Sequence, residues 1–173
     1  MGLNIIIKAI GAVCIIAGTT LLGRAYAGMF KERCEFLSDF LKRLEILKNE
    51  IGFMKGILAD AFLKSGEFKG RTKDLFDNVA LNLEDMDAQL AWETACDKYL
   101  PIHSLKKDDS ECIKSLGRLL GVSDVDGQIS NIDAVSTQLG ALSEAAQAER
   151  KKNESLFKSV GPLAGIGIAV LLI

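Results

Sequence analysis

A chain of 173 residues can bury one sizeable core, and its net charge of −2 gives no global reason to expect a nucleic-acid partner. Four cysteines (Cys14, Cys34, Cys96, Cys112) without a C-x-x-C pair, and a single histidine, His103, argue against a disulfide scaffold or a zinc site and suggest a reducing compartment. The apolar residues gather at the two ends of the chain around a highly charged middle, as a membrane protein with a water-exposed domain requires.

Residues 2 to 23, GLNIIIKAIGAVCIIAGTTLLG, carry one charge, Lys8. As a helix, Gly2 to Leu22 measures about 31 Å, enough to cross a bilayer, and Lys8 can snorkel to the near interface. A cleaved signal peptide is the competing reading, with Ala25-Tyr26-Ala27 as an A-x-A site. Arg24 in front of that site and a second apolar segment favour an uncleaved anchor, residues 1–27. Gly11 and Gly18, a heptad apart, are candidates for close helix packing.

Residues 28–155 read as a soluble helical domain. Phe30, Cys34, Leu37, Leu41, Leu44, Leu47, Ile51, Met54 and Leu58 follow the three-and-four spacing of one long amphipathic helix, weakened at Gly52 and Gly56. SGEFKGR (65–71) predicts a turn, after which Thr72 can cap a short helix burying Leu75, Phe76 and Val79. A helix from about Met86 carries Leu90, Ala91, Trp92 and Ala95 and closes before Pro101. The next begins near Asp108 to Ser110 and stops at Gly121, a left-handed cap. Ser123-Asp124-Val125-Asp126 caps the last helix, whose Ile132, Val135, Leu139, Leu142 and Ala146 form a heptad-like seam.

That helix runs through Arg150-Lys151-Lys152 into VGPLAGIGIAVLLI, residues 160–173, which carry no charge. Starting the span at Leu156 gives about 27 Å, enough for a thin bilayer. Pro162 either kinks this helix or begins a new one. Gly161 and Gly165 make a GxxxG pair that can pack against the first span or a partner. Arg24, Lys31 and Arg33 follow the first span, and Arg150, Lys151, Lys152 and Lys158 precede the second, so the middle should face the cytoplasm. The expected fold is therefore all-α, a membrane hairpin of two terminal transmembrane helices with a cytoplasmic helical bundle between them.

Charge divides along the middle: residues 30–73 hold ten basic and seven acidic groups, residues 74–149 five basic and fifteen acidic. A solvated surface explains this simply, and an acidic docking face for a basic partner is the sharper reading. No serine–histidine–acid set or phosphate-binding glycine loop is present, and His103 beside Pro101 reads as a loop residue. The expectation is a non-enzyme without cofactor or metal.

Three clusters in order carry a family resemblance. The first is Glu50-Ile51-Gly52-Phe53 with Leu58 and Ala61, where Ile57 stands in place of the family's usual proline. Trp92 and LGRLLGVSDVDGQ, with Gly117, Gly121, Asp124 and Gln128, form the second. The third runs from Glu149 through Lys158-Ser159-Val160-Gly161 to Leu163-Ala164-Gly165, with Pro162 unusual at its position. Together they resemble the stage III sporulation protein AB family of endospore-forming bacteria, small relatives of the inner-membrane platform protein of type II secretion and type IV pilus machines.

The resemblance implies a membrane platform in the channel joining mother cell and forespore. It would lie in the outer of the two membranes around the forespore, on the mother-cell side. Its implied partners are a secretion-type ATPase, the other channel membrane subunits, the lipid bilayer and possible further copies of itself. Candidate partner contacts are Glu50, Ile51, Phe53, Gly121, Asp124 and Gln128, each of which also has a purely structural reading as core, helix stop, cap or surface amide. The alternative class is a two-span membrane adaptor or signalling protein, and a third is a secreted helical protein.

Overall fold

The computed structural model describes the backbone of residues 2–54, 58–121 and 124–172, and side-chain surroundings for 8–52, 58–121 and 124–171. Ile57 and Ser123, and the side chains of Phe53 and Met54, lie outside the described residues. Six α-helices account for nearly all of it: α1 (Gly2–Met54), α2 (Leu58–Gly66), α3 (Lys73–Asn82), α4 (Ala88–Tyr99), α5 (Lys107–Ser115) and α6 (Val125–Leu172). Short 3-10 turns follow α4 and α5, and no strand occurs among the described residues. The chain is all-α, as its periodicity requires.

Two compact units divide the chain. One comprises residues 1–32 and 146–173, the other residues 33–145, so α1 and α6 contribute to both. These borders fall outside the hydropathy borders at 27/28 and 155/156. Phe157 of α6 stacks on both Tyr26 (5.7 Å between ring centroids) and Phe30 (5.8 Å) of α1, which carries the helix pairing of the first unit past residue 27.

The central unit is organised around Trp92. Its ring is fully buried among Phe40, Phe62 and Phe76, with centroids 5.8–6.0 Å away, and its indole N–H donates to the Ile113 carbonyl at 3.0 Å. That bond satisfies the one polar atom the ring carries into the core. Gly117 lies so close that a β-carbon there would stand 2.6 Å from Trp92 Cδ1. In α1 the buried stripe is broader than the heptad spacing suggests. Phe36 and Phe40 are fully buried beside Leu37, Leu44 and Leu47, while Leu41 is only half-buried.

Two arginines of α1 share this interior. Arg33 pairs with Asp109, and Arg43, 1% exposed, donates to the backbone carbonyls of Ser65 and Phe68 at the turn between α2 and α3. Thr72 does not cap α3 with its side chain. Its hydroxyl donates to Asp39 at 2.6 Å and its backbone N–H to the same carboxylate at 2.9 Å. A carboxylate with two donors from one residue and Arg43 at 3.3 Å is the stronger acceptor, so the hydroxyl is drawn there. Burial opposes ionisation of Asp39, but these Thr72 and Arg43 donors outweigh it and hold the carboxyl below its usual range.

α4 begins with Asp87, whose carboxylate accepts the Leu90 N–H at 2.9 Å. α6 runs without interruption through Pro162, which therefore does not begin a new helix. α1 and α6 each contain an 18-residue window long and apolar enough to cross a membrane, with only 6% and 17% of those windows buried. A membrane association follows from that exposure: Val13, Leu21, Leu22, Leu163, Val170 and Leu171 all present more than half of their surface.

Candidate interaction surfaces

Two sets of residues stand out, one in each unit. In the central unit the end of α1 lies beside the beginning of α6. Lys48 bonds Asp133 at 2.8 Å, and a β-carbon on Gly52 would meet Ile129 Cδ1 at 3.4 Å. Rising numbers on α1 meet falling numbers on α6, so the helices are antiparallel here. This brings the Glu50–Ile51 segment and the Asp124–Gln128 segment to the same end of the unit, although the sequence separates them by the rest of the bundle.

Within that end the residues have distinct surroundings. Glu50 accepts an ion pair from Lys64 of α2 at 2.9 Å, with its own side chain 25% exposed. Ile51 is buried, and Phe53 belongs to α1 with its side chain outside the described residues. Asp124 accepts the Gly127 N–H on its side chain at 3.0 Å, and its carbonyl takes the Gln128 N–H at 2.9 Å, which starts α6. Gly121 has φ = +72°, the left-handed conformation in which glycine pays no Cβ penalty. A β-carbon there would also press on Ala88 at 3.2 Å. Lys48 is held charged above its usual range chiefly by its bond to Asp133.

An open groove between α5 and α6, lined by Asp108, Glu111, Cys112, Ser115 and Gln138, is the candidate for chemistry in this unit. Its Cys112 thiol lies 3.8 Å from Gln138 Oε1, and burial with Asp109 nearby pushes its pKa up. A thiol raised in this way stays protonated at neutral pH and is a poor nucleophile. His103 is occupied elsewhere, its ring 4.6 Å from that of Phe36. No group of three metal-ligating side chains occurs among the described residues.

In the other unit α1 and α6 meet through backbone. A β-carbon on Gly161 would fall 2.7 Å from the Thr19 carbonyl oxygen, and one on Gly23 would fall 2.5 Å from that of Phe157. One on Gly165 would collide with the Thr19 hydroxyl and with Ile16 Cα at 2.8 Å. Small residues permit this approach, which brings main-chain atoms into contact. Thr19 keeps its own hydroxyl satisfied by the Ile15 and Ile16 carbonyls one turn back. Gly11 and Gly18 lie elsewhere on α1, with nothing within 4 Å of an added β-carbon.

Sequence reasoning passed over Gly23 and Thr19 at this contact. Their four-residue spacing on one helix face was the available signal. It also passed over Arg33 and Arg43 as buried groups.

Comparison with known proteins gives concordant results. Residues 8–173 match the family model described as Stage III sporulation protein AB. A Bacillus subtilis (strain 168) protein of that name is 31% identical over 169 residues, covering 96% of this chain and 99% of the relative. A solved structure of a stage III sporulation protein AB (SpoIIIAB) is similar with a TM-score of 0.64 at 26% identity, covering 70% of this chain and 98% of the solved one.

Proposed function

Since the chain belongs to the stage III sporulation protein AB family, we propose that it is a non-enzymatic membrane platform of the channel between mother cell and forespore. In this reading its cytoplasmic unit engages a secretion-type ATPase and its apolar helices organise the channel's membrane subunits. The observation that carries the proposal is that α1 and α6 each contribute to both units: the helices that expose apolar surface in one unit build the charged surface of the other. A protein built this way needs no flexible linker between its lipid-facing and partner-facing parts. Helices, unlike linkers, can pass on a displacement when one end is moved.

The contact assigned to the ATPase is the end of the central unit that carries Glu50, Ile51, Phe53, Gly121, Asp124 and Gln128. Glu50 is the residue to test first, because a partly exposed ion pair contributes at most about 1 kcal/mol to stability and can be changed without loss of fold. Full-length chain in detergent, mixed with the candidate ATPase and recovered by a tag on either protein, is the assay. Glu50→Lys should weaken recovery while leaving the melting temperature within a few degrees. Equal recovery removes Glu50 from the contact, and failure of the unaltered chain to recover the ATPase defeats the docking reading.

A further inference from the structure

The unit formed by residues 1–32 and 146–173 carries seven basic and three acidic residues, so it is cationic although the whole chain is not. The cations are not equivalent. Glu154 takes two of them, accepting from Arg150 at 2.6 Å and Lys158 at 2.7 Å. Arg24, Lys151 and Lys152 are exposed, and no ion pair or hydrogen bond engages them among the described residues.

Helical spacing groups Lys151 and Lys152 with two hydroxyls. Ser155 follows Lys151 by four residues and Lys152 by three, and Ser159 follows Ser155 by four, so all four lie on adjoining faces of α6. Each is exposed, whereas Phe157, Gly161 and Gly165 turn toward α1. Immediately beyond this polar face, Leu156, Val160 and Leu163 present 53–66% of their surface. On α1, Gly23 lies against Gly161 and Tyr26 stacks on Phe157, which sets Arg24 at the depth of Ser159.

We infer that this face, Lys151, Lys152, Ser155 and Ser159 with Arg24 at the same depth, holds the headgroup of an anionic glycerophospholipid whose acyl chains lie on Leu156, Val160 and Leu163. Ammonium groups supply charge to a phosphate, and hydroxyls donate to its remaining oxygens. A zwitterionic headgroup brings its own cation, which the lysines repel, so the face selects for net negative charge. A lipid rather than a soluble polyanion is the occupant because the cations border exposed apolar side chains that a soluble ligand would leave uncovered. The inference rests on the membrane reading above and adds the lipid class.

The test uses the full chain reconstituted in phosphatidylcholine bilayers containing a minority of phosphatidylglycerol, then released intact for native mass spectrometry. Enrichment of retained phosphatidylglycerol over phosphatidylcholine is expected, at about fivefold for each engaged cation. It should fall by at least about fivefold in K151Q/K152Q and persist in K151R/K152R. Equal enrichment in K151Q/K152Q, or displacement of the lipid by excess inorganic phosphate, overturns the inference. So does a chain that resists carbonate extraction from the bilayer yet shows no enrichment, and that result leaves the membrane reading intact. A chain that carbonate extracts removes both.

Discussion

Arg33 and Asp109 form a bidentate ion pair inside the central unit, with Nε to Oδ2 at 2.7 Å and Nη2 to Oδ1 at 2.9 Å, and both side chains at most 7% exposed. Asp109 also accepts the Lys106 N–H at 2.9 Å, so one carboxylate starts α5 and fastens it to α1. Removing one member strands the other charge in the interior. Arg33→Ala should therefore cost about 3–5 kcal/mol. Arg33→Met with Asp109→Leu should cost clearly less than the two single changes added together, because the second substitution removes the charge stranded by the first. Denaturant midpoints followed by Trp92 emission measure both, and strict additivity would deny the coupling.

Gly117 abuts the indole of Trp92 closely enough that even a methyl group must displace the ring. Gly117→Ala is expected to destabilise the central unit by about 1–3 kcal/mol, the usual range for overpacking. Trp92 is the chain's only tryptophan, so a shift in its emission should accompany the loss. An unchanged spectrum and midpoint would mean that Gly117 does not constrain the ring.

The glycines of the apolar helices should separate into two classes. Gly161→Leu and Gly165→Leu drive side chains into the backbone of α1, and each should lower the melting temperature in detergent by several degrees. Gly11→Leu and Gly18→Leu meet nothing within 4 Å and should change stability by no more than about 0.5 kcal/mol, leaving the melting temperature close to the parent's. If all four behave alike, the contact is not the one the geometry describes.

Asp39 gives the stability a pH signature. Its carboxyl is depressed in the folded chain, so its contribution is fully present above the unfolded value, about 3.9, and is lost as pH falls through the lower folded value. Asp39→Asn lacks this term. The gap between parent and variant should be constant above about pH 5 and should narrow below about pH 4. A gap that stays the same at about pH 3 would show that Asp39 contributes no proton-linked stability.

Local signals were readable in the sequence where a residue acts on its own neighbours. Gly121 as a left-handed stop and Asp124 as a cap follow from residue chemistry within one turn, and Trp92 reads as an anchor from the size of its ring alone. Arg33, Arg43 and Thr72 were not readable for the opposite reason. Their partners Asp109, Ser65 and Asp39 lie 76, 22 and 33 residues away, and an arginine on an amphipathic helix is ordinarily assigned to water. Gly23 is intermediate: its four-residue spacing from Thr19 marks a helix face, but its partner Gly161 is most of the chain away. The candidate partner contact divides in the same way. Its caps and turn residues were legible one by one, while the meeting of the α1 and α6 segments depended on antiparallel packing, seen at Lys48 and Asp133.

The Gly23–Gly161 approach also orders events in time. A ribosome makes Gly23 long before Gly161, so the glycine face of α1 is complete while its mate on α6 has yet to be made. Until Gly161 is made, that face is open to any other helix with small side chains. The α1–α6 pairing at Gly23 therefore waits for Gly161, and a chain stalled before that residue keeps an unclaimed groove for a neighbour to fill.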